Sequence, residues 1–161
     1  LLPGEAPEHA AYRLSREKAR AAGTRNPDAL VAAADTLVAI GGKILGKPSS
    51  RDESLRMLRA LSGAVHSVFT GVTLRRGEDE RCAVEETLVE FRSLSEEAMK
   101  LYVDSGEGDD KAGAYAIQGR GALLVSSLRG DYFNVVGLPL CRLSLLLEEF
   151  GCSLADQWRN S

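Results

Sequence analysis

The stretch HSVFTGVTLRR-GEDE-RCAVEETLVEFRSL, residues 66–94, decides the fold. Its first eleven residues alternate apolar and polar side chains, which predicts a strand over 66–76. GEDE is turn chemistry, and 81–94 predicts a strand that returns antiparallel to the first. Upstream, Ser50 and Glu53 have the spacing of a capping box. They open a helix with Leu55, Leu58 and Leu61 on one face, ended by Gly63. VAAADTLVAI (31–40) is an apolar run read as a buried strand, with Gly41-Gly42 turning it into KILGKP. Its alanine-rich left half also suits a helix. Residues 8–22 follow Pro7 as a helix with Ala11, Leu14 and Ala21 on one side. Downstream, Ser95 caps a helix to about Val103, and the loop SGEGDD leads into KAGAYAIQGRGALLV (111–125). A strand GALLVSSL, a turn RGDY, NVVG, and a helix from Pro139 closed by Gly151 complete the chain before a polar tail, 152–161. Hairpins intermingled with helices predict an α/β fold, a mixed sheet flanked by helices.

At 161 residues the chain fits one domain, 1–161, with enough length for a core. A net charge of −3 with dispersed lysine and arginine argues against wrapping duplex nucleic acid. No apolar run approaches the roughly 20 residues of a membrane span. Cys82, Cys141 and Cys152 have no CxxC spacing and read as reduced thiols of a cytoplasmic protein. The chain opens LLPGEAPEHAAY, without methionine or a first strand, and is expected to be incomplete at its N-terminus.

Asp35 is the one charge in VAAADTLVAI. It needs a cation, a metal or hydrogen-bond donors, either as a strand-end residue bonded to backbone or as a general base or metal ligand. Thr36 should face the other side of an extended strand. Lys18 sits at the margin of its helix's apolar side, and Lys47 is held extended before Pro48. Lys111 precedes Ala-Gly-Ala, where small residues let a ligand approach the main chain. Converging, the three lysines would form a polyanion pocket. Gln118 offers a donor beside an acceptor, matching the imide edge of uracil or thymine, or else it satisfies backbone at a turn. His66 is expected as a half-buried structural histidine, Tyr132 and Phe133 as core or rim aromatics, and Met99, Tyr102 and Val103 as helix packing.

Six segments together resemble the Maf-type nucleoside triphosphate pyrophosphatases. They are LSREKARA (14–21), AADTLVAIGGKILGKP (33–48), MLRALSGAVHSVFTGV (57–72), ETLVEFRSLSEE (86–97), DKAGAYAIQGRGALLV (110–125) and GDYFNVVGLPL (130–140), in the family's order. The resemblance implies an elongated mixed sheet flanked by helices, with a cleft between two lobes (the Maf/inosine-triphosphatase-like arrangement), and often a homodimer. It implies hydrolysis of a nucleoside triphosphate between the α- and β-phosphates, on the branch acting on dTTP and UTP. Asp35 matches the proton acceptor, and Lys18, Lys47 and Lys111 match lysines of the substrate cleft. Thr36 and Gln118 match positions tied to base choice. A divalent cation, Mg²⁺ or Mn²⁺, is expected, held partly by Asp35. Nucleotide-pool sanitation and cell-division arrest are the processes implied.

The family's Ser-x-Ser-Pro-Arg-Arg loop has no match, the resemblance beginning at PGEAPE. Gly108 stands where proline is frequent and Ala116 where glycine is usual. A chain of these residues alone is therefore expected to turn over weakly. The competing expectations are a nucleotide-binding protein without turnover and a septum-regulating interaction protein.

Overall fold

The computed structural model describes every residue except Pro3, Asn160 and Ser161. The first residue of PGEAPE and the end of the tail thus lie outside the described residues. The order is α1 (Pro7–Arg25), β1 (Val31–Ile40), β2 (Lys43–Leu45), α2 (Arg51–Leu61), β3 (Val65–Arg76), β4 (Asp79–Phe91), α3 (Glu96–Asp104), β5 (Val125–Arg129), α4 (Tyr132–Val136), α5 (Leu140–Glu149) and α6 (Leu154–Arg159). Single 3₁₀ turns cover Ala112–Ala114 and Gly119–Leu123.

The strands form one five-stranded sheet in the order β2-β1-β3-β4-β5. It is an α/β fold with helices flanking the sheet, but every pairing is antiparallel where the sequence suggests a mixed sheet. The cause is local. β1–β2 and β3–β4 are tight hairpins, α2 carries the chain back to the β1–β2 turn so that β3 starts beside the end of β1, and the segment through α3 re-enters where β4 finishes.

Along β1 and β3, successive side chains serve opposite faces. On one face Leu37 and Phe69 pack with Ala10, Ala11 and Leu14 of α1. On the other, Val38, Val68, Val89 and Phe91 meet Leu58 and Leu61 of α2 and Met99, Tyr102 and Val103 of α3. Farther along that face Val72 and Leu74 meet Leu146 of α5. No helix among the described residues is long and apolar enough to cross a membrane.

Four local expectations change. The β3–β4 turn is only Gly77–Glu78, because Asp79 and Glu80 already pair with Arg76 and Arg75. Glu80 is anchored there by Arg16 and Arg20 of α1; burial opposes its charge, but those guanidinium groups hold its carboxyl down at about 2. The predicted strand 121–128 starts only at Val125, since Glu107 captures the amides of Arg120 and Gly121 and bends the chain first. Asp131 accepts from Phe133 N at 2.7 Å, turning the expected turn and NVVG segment into α4. In the tail, Ser153 and Asp156 bond each other reciprocally and start α6.

The α1–sheet seam has no spare room at Gly71. A Cβ there would lie 2.1 Å from the Ala11 carbonyl oxygen and 2.9 Å from Ser15 Oγ. Gly71→Ala should therefore lift α1 and destabilise the fold by about 3 kcal/mol, read as a lower urea midpoint.

Candidate active site

The site begins with an unfinished strand pair. Gly41 and Gly42 have φ of +55° and +77°, the sense a two-residue type I′ hairpin requires. Ile40 and Lys43 close that hairpin, so alternate residues back along β1 direct their N–H and C=O groups to the β2 side. β2 pairs only with Val38–Ile40. Beyond it the backbone groups of Thr36 and Ala34 have no strand to meet among the described residues. Lys18 Nζ, from α1, donates to the Ala34 carbonyl at 3.2 Å.

Along this open edge lies a cavity of about 390 Å³. All six residues singled out from the sequence line it: Lys18, Asp35, Thr36, Lys47, Lys111 and Gln118. Its location at an edge explains why Asp35 and Thr36, on opposite faces of β1, both reach it. Asp35 forms an ion pair with Lys18, and its side chain is 17% exposed. Lys47 comes from the β2–α2 connection. Lys111 Nζ pairs with Asp110 at 2.8 Å. The Lys111 ammonium, with a smaller pull from Lys47, holds the Asp110 carboxyl below its ordinary value, and the cleft is lined by three lysines and two carboxylates.

The run after Lys111 works differently from the sequence expectation. Ala112 does line the cavity, but Gly113 and Ala114 are buried. Gly113 turns at φ +72°, donates to the Gly46 carbonyl at 3.0 Å, and leaves a Cβ only 3.1 Å from Val38. Ala114 also lies at positive φ, 60°, a strained value for a residue with a Cβ. The small residues bring the loop down onto β1 and the β2–α2 connection. Of the three, only Ala112 borders the cavity.

Sequence reasoning missed several supports. Glu107 accepts from Arg120 N at 2.9 Å and Gly121 N at 3.3 Å, clamping the turn that Gln118 precedes. Its signal was weak, an acid between two loop glycines. Tyr115 forms part of the cavity wall, and its hydroxyl meets His66 Nε2 at 2.8 Å. His66 is 2% exposed, not half-buried, and its ring stacks edge-on with Phe91 and Tyr115. Thr36 Oγ1 lies 2.9 Å from Thr70 Oγ1, which donates to the Asn134 carbonyl at 3.0 Å. Tyr132 and Phe133 stand outward on the rim, 43% and 49% exposed.

No cluster of three or more histidine, cysteine or acidic side chains suited to a metal occurs among the described residues. The two carboxylates of the cleft, Asp35 and Asp110, are each paired with a lysine, so a hard divalent ion there would take most of its oxygens from a phosphate ligand and water.

Residues 2–150 match the family described as Maf-like protein. The chain belongs to the Maf family. It is 52% identical over 147 residues to the dTTP/UTP pyrophosphatase of Symbiobacterium thermophilum, covering 91% of this chain and 76% of that protein. With the dTTP/UTP pyrophosphatase of Myxococcus xanthus it shares 51% over 158 residues, 98% of this chain and 79% of that protein. With the Bacillus velezensis protein of the same name it shares 46% over 144 residues, 89% and 76% respectively. The Maf chain described here therefore spans roughly three quarters of each relative.

Burial pushes the His66 imidazole from its ordinary 6.5 down to about 4. Between those values the unfolded chain binds the extra proton, so stability is complete above pH 6.5 and lost as pH falls toward 4. The loss should reach about 3 kcal/mol. Thermal midpoints recorded between pH 7 and 5 should fall for the native protein and stay nearly flat for His66→Gln over that range.

Proposed function

We propose that this Maf protein hydrolyses UTP and dTTP to the nucleoside monophosphate and pyrophosphate. The observation that carries the reading is one cavity holding the Asp35–Lys18 pair, Lys47, Lys111 and Gln118. The names of the relatives support the choice of substrate.

Hydrolysis between the first two phosphates needs water to attack the α-phosphorus while the bond to the bridging oxygen breaks and pyrophosphate departs. Little covalent work falls to the protein, which must position groups and offset charge. Asp35 takes the proton of the attacking water. Lys18 fixes the carboxylate and, from the same ammonium, ties α1 to the Ala34 carbonyl. Lys47 and Lys111 face the phosphate chain and the leaving pyrophosphate. Mg²⁺ or Mn²⁺, held by Asp35 and phosphate oxygens, would supply Lewis-acid polarisation of the α-phosphate. Gln118 and Thr36 read the base: a polar group left unpaired by the wrong base costs more than a lost apolar contact.

The working unit in this proposal is a cytoplasmic homodimer acting on free nucleotides rather than nucleic acid, in clearance of the nucleotide pool. Its support is the outward apolar group Phe133, Val136 and Leu138 beside the cavity, and three unpaired cysteines.

Asp35→Asn should lower kcat for pyrophosphate release from UTP by at least about 100-fold with KM little changed. Pyrophosphate and orthophosphate are assayed separately. Undiminished release by the variant, or orthophosphate as the first product of the native protein, would refute the assignment.

A further inference from the structure

The Thr36 hydroxyl sits at the end of a chain of hydrogen bonds whose direction can be worked out. Thr70 is fully buried, and its Oγ1 has two neighbours, Thr36 Oγ1 at 2.9 Å and the Asn134 carbonyl at 3.0 Å. A carbonyl cannot donate, and a hydroxyl has one proton. Thr70 must therefore spend its proton on Asn134, since otherwise two oxygens would face each other across 3.0 Å with no proton between them. The hydrogen bond to Thr36 then needs Thr36 as the donor. Once its proton is committed inward, Thr36 Oγ1 has only lone pairs to offer the cavity.

The far end of the chain is equally determined. Asn134 is fully buried, and its Nδ2 donates to the Val68 carbonyl at 3.0 Å and to Thr87 Oγ1 at 2.9 Å. Thr87 in turn donates to the Asp131 carbonyl at 3.0 Å, so it can only accept from Asn134. These bonds hold α4 against β3 and β4 and keep the Asn134 carbonyl over Thr70. On the cavity side, Gly137 leaves the approach to Thr36 open, for a Cβ there would stand 3.7 Å from Thr36 Oγ1.

We propose that Thr70 and Asn134, neither of which lines the cavity, act as positioning residues that make Thr36 an acceptor-only contact selecting bases with an imide N–H. This inference rests on the reading of the cavity as a pyrimidine nucleotide site. Uracil and thymine present N3–H to such an oxygen. Cytosine presents a bare N3 lone pair at the same position and is repelled.

The test measures equilibrium binding, so that it does not depend on turnover. Dissociation constants of α,β-methylene UTP and α,β-methylene CTP are determined by calorimetry for the native protein and for variants of known thermal midpoint. The native protein should favour the uracil analogue. Thr70→Val frees the Thr36 hydroxyl to turn and donate, and should shrink that preference about tenfold, the scale of one mispaired hydrogen bond. Thr70→Ser keeps the acceptor and should keep the preference. Thr36→Val and the double variant Thr36→Val/Thr70→Val should match each other, because Thr70 acts only through Thr36. If the valine variant does not fold, Thr70→Cys, whose thiol is a poor acceptor, should move the ratio the same way. An unchanged ratio in a folded Thr70→Val or Thr70→Cys, or equal binding of both analogues by the native protein, overturns the inference. Failure to release pyrophosphate from UTP, with the binding preference and its loss in Thr70→Val both observed, would count against the proposed reaction and leave this inference standing.

Discussion

A carboxylate on a strand of otherwise uncharged residues needs a cation, a metal or hydrogen-bond donors, and Asp35 receives the ammonium of Lys18. Much of the molecule's arrangement is needed for that pairing. α1 must lie close on the sheet, which the Ala10–Ala11 contact and the bare Gly71 permit. β2 must stop after three residues, or a continuing strand would occupy the edge where Lys18 reaches β1. The loop after Lys111 must come down beside the same edge, which the turn at Gly113 and its bond to Gly46 accomplish. Removal of any one of these would leave the carboxylate either sealed under another strand or facing open water.

The two sides of the cleft are built by different means. Its charged side is an ion-pair arrangement of Lys18 with Asp35 and Lys111 with Asp110, on partly exposed side chains that water can reach and a polyphosphate can rearrange. Its neutral side, around Thr36 and Tyr115, is backed by hydroxyl, amide and imidazole groups buried in the core, with few alternative partners. Adaptable charge suits a flexible phosphate chain, whereas a rigid polar wall suits the recognition of a planar ring.

The long periodic elements could be read directly from the sequence. The β3–β4 hairpin, β1 with its glycine turn, and the caps at Ser50 and Ser95 all follow from local rules that tertiary packing did not oppose. The irregular region 111–131 was read least well. There the deciding contacts come from far along the chain or from a single side chain: Glu107 on the amides of Arg120 and Gly121, and Asp131 on its own downstream amide. At Ser50 the cap forms, but Glu53 reaches back to Ser49, so the reciprocal half is shifted by one residue. Asp35 and Gln118 stand out as a charge and a lone amide in apolar runs, whereas the three lysines and Thr36 are joined to them only by the resemblance to a family. Thr70, Thr87 and Asn134 did not, because a threonine on a strand is ordinary until its partners across the sheet are known.

The unfinished edge of β1 carries a risk as well as a use. Unpaired backbone groups on an apolar strand are a template for strand addition by another molecule, the starting step of edge-to-edge aggregation. A negative side chain at Asp35 and an ammonium seated on the Ala34 carbonyl are the devices by which sheet proteins deter such docking. The pair to which the proposed phosphate chemistry is assigned thus also guards the open edge, and a change to either residue would touch both properties.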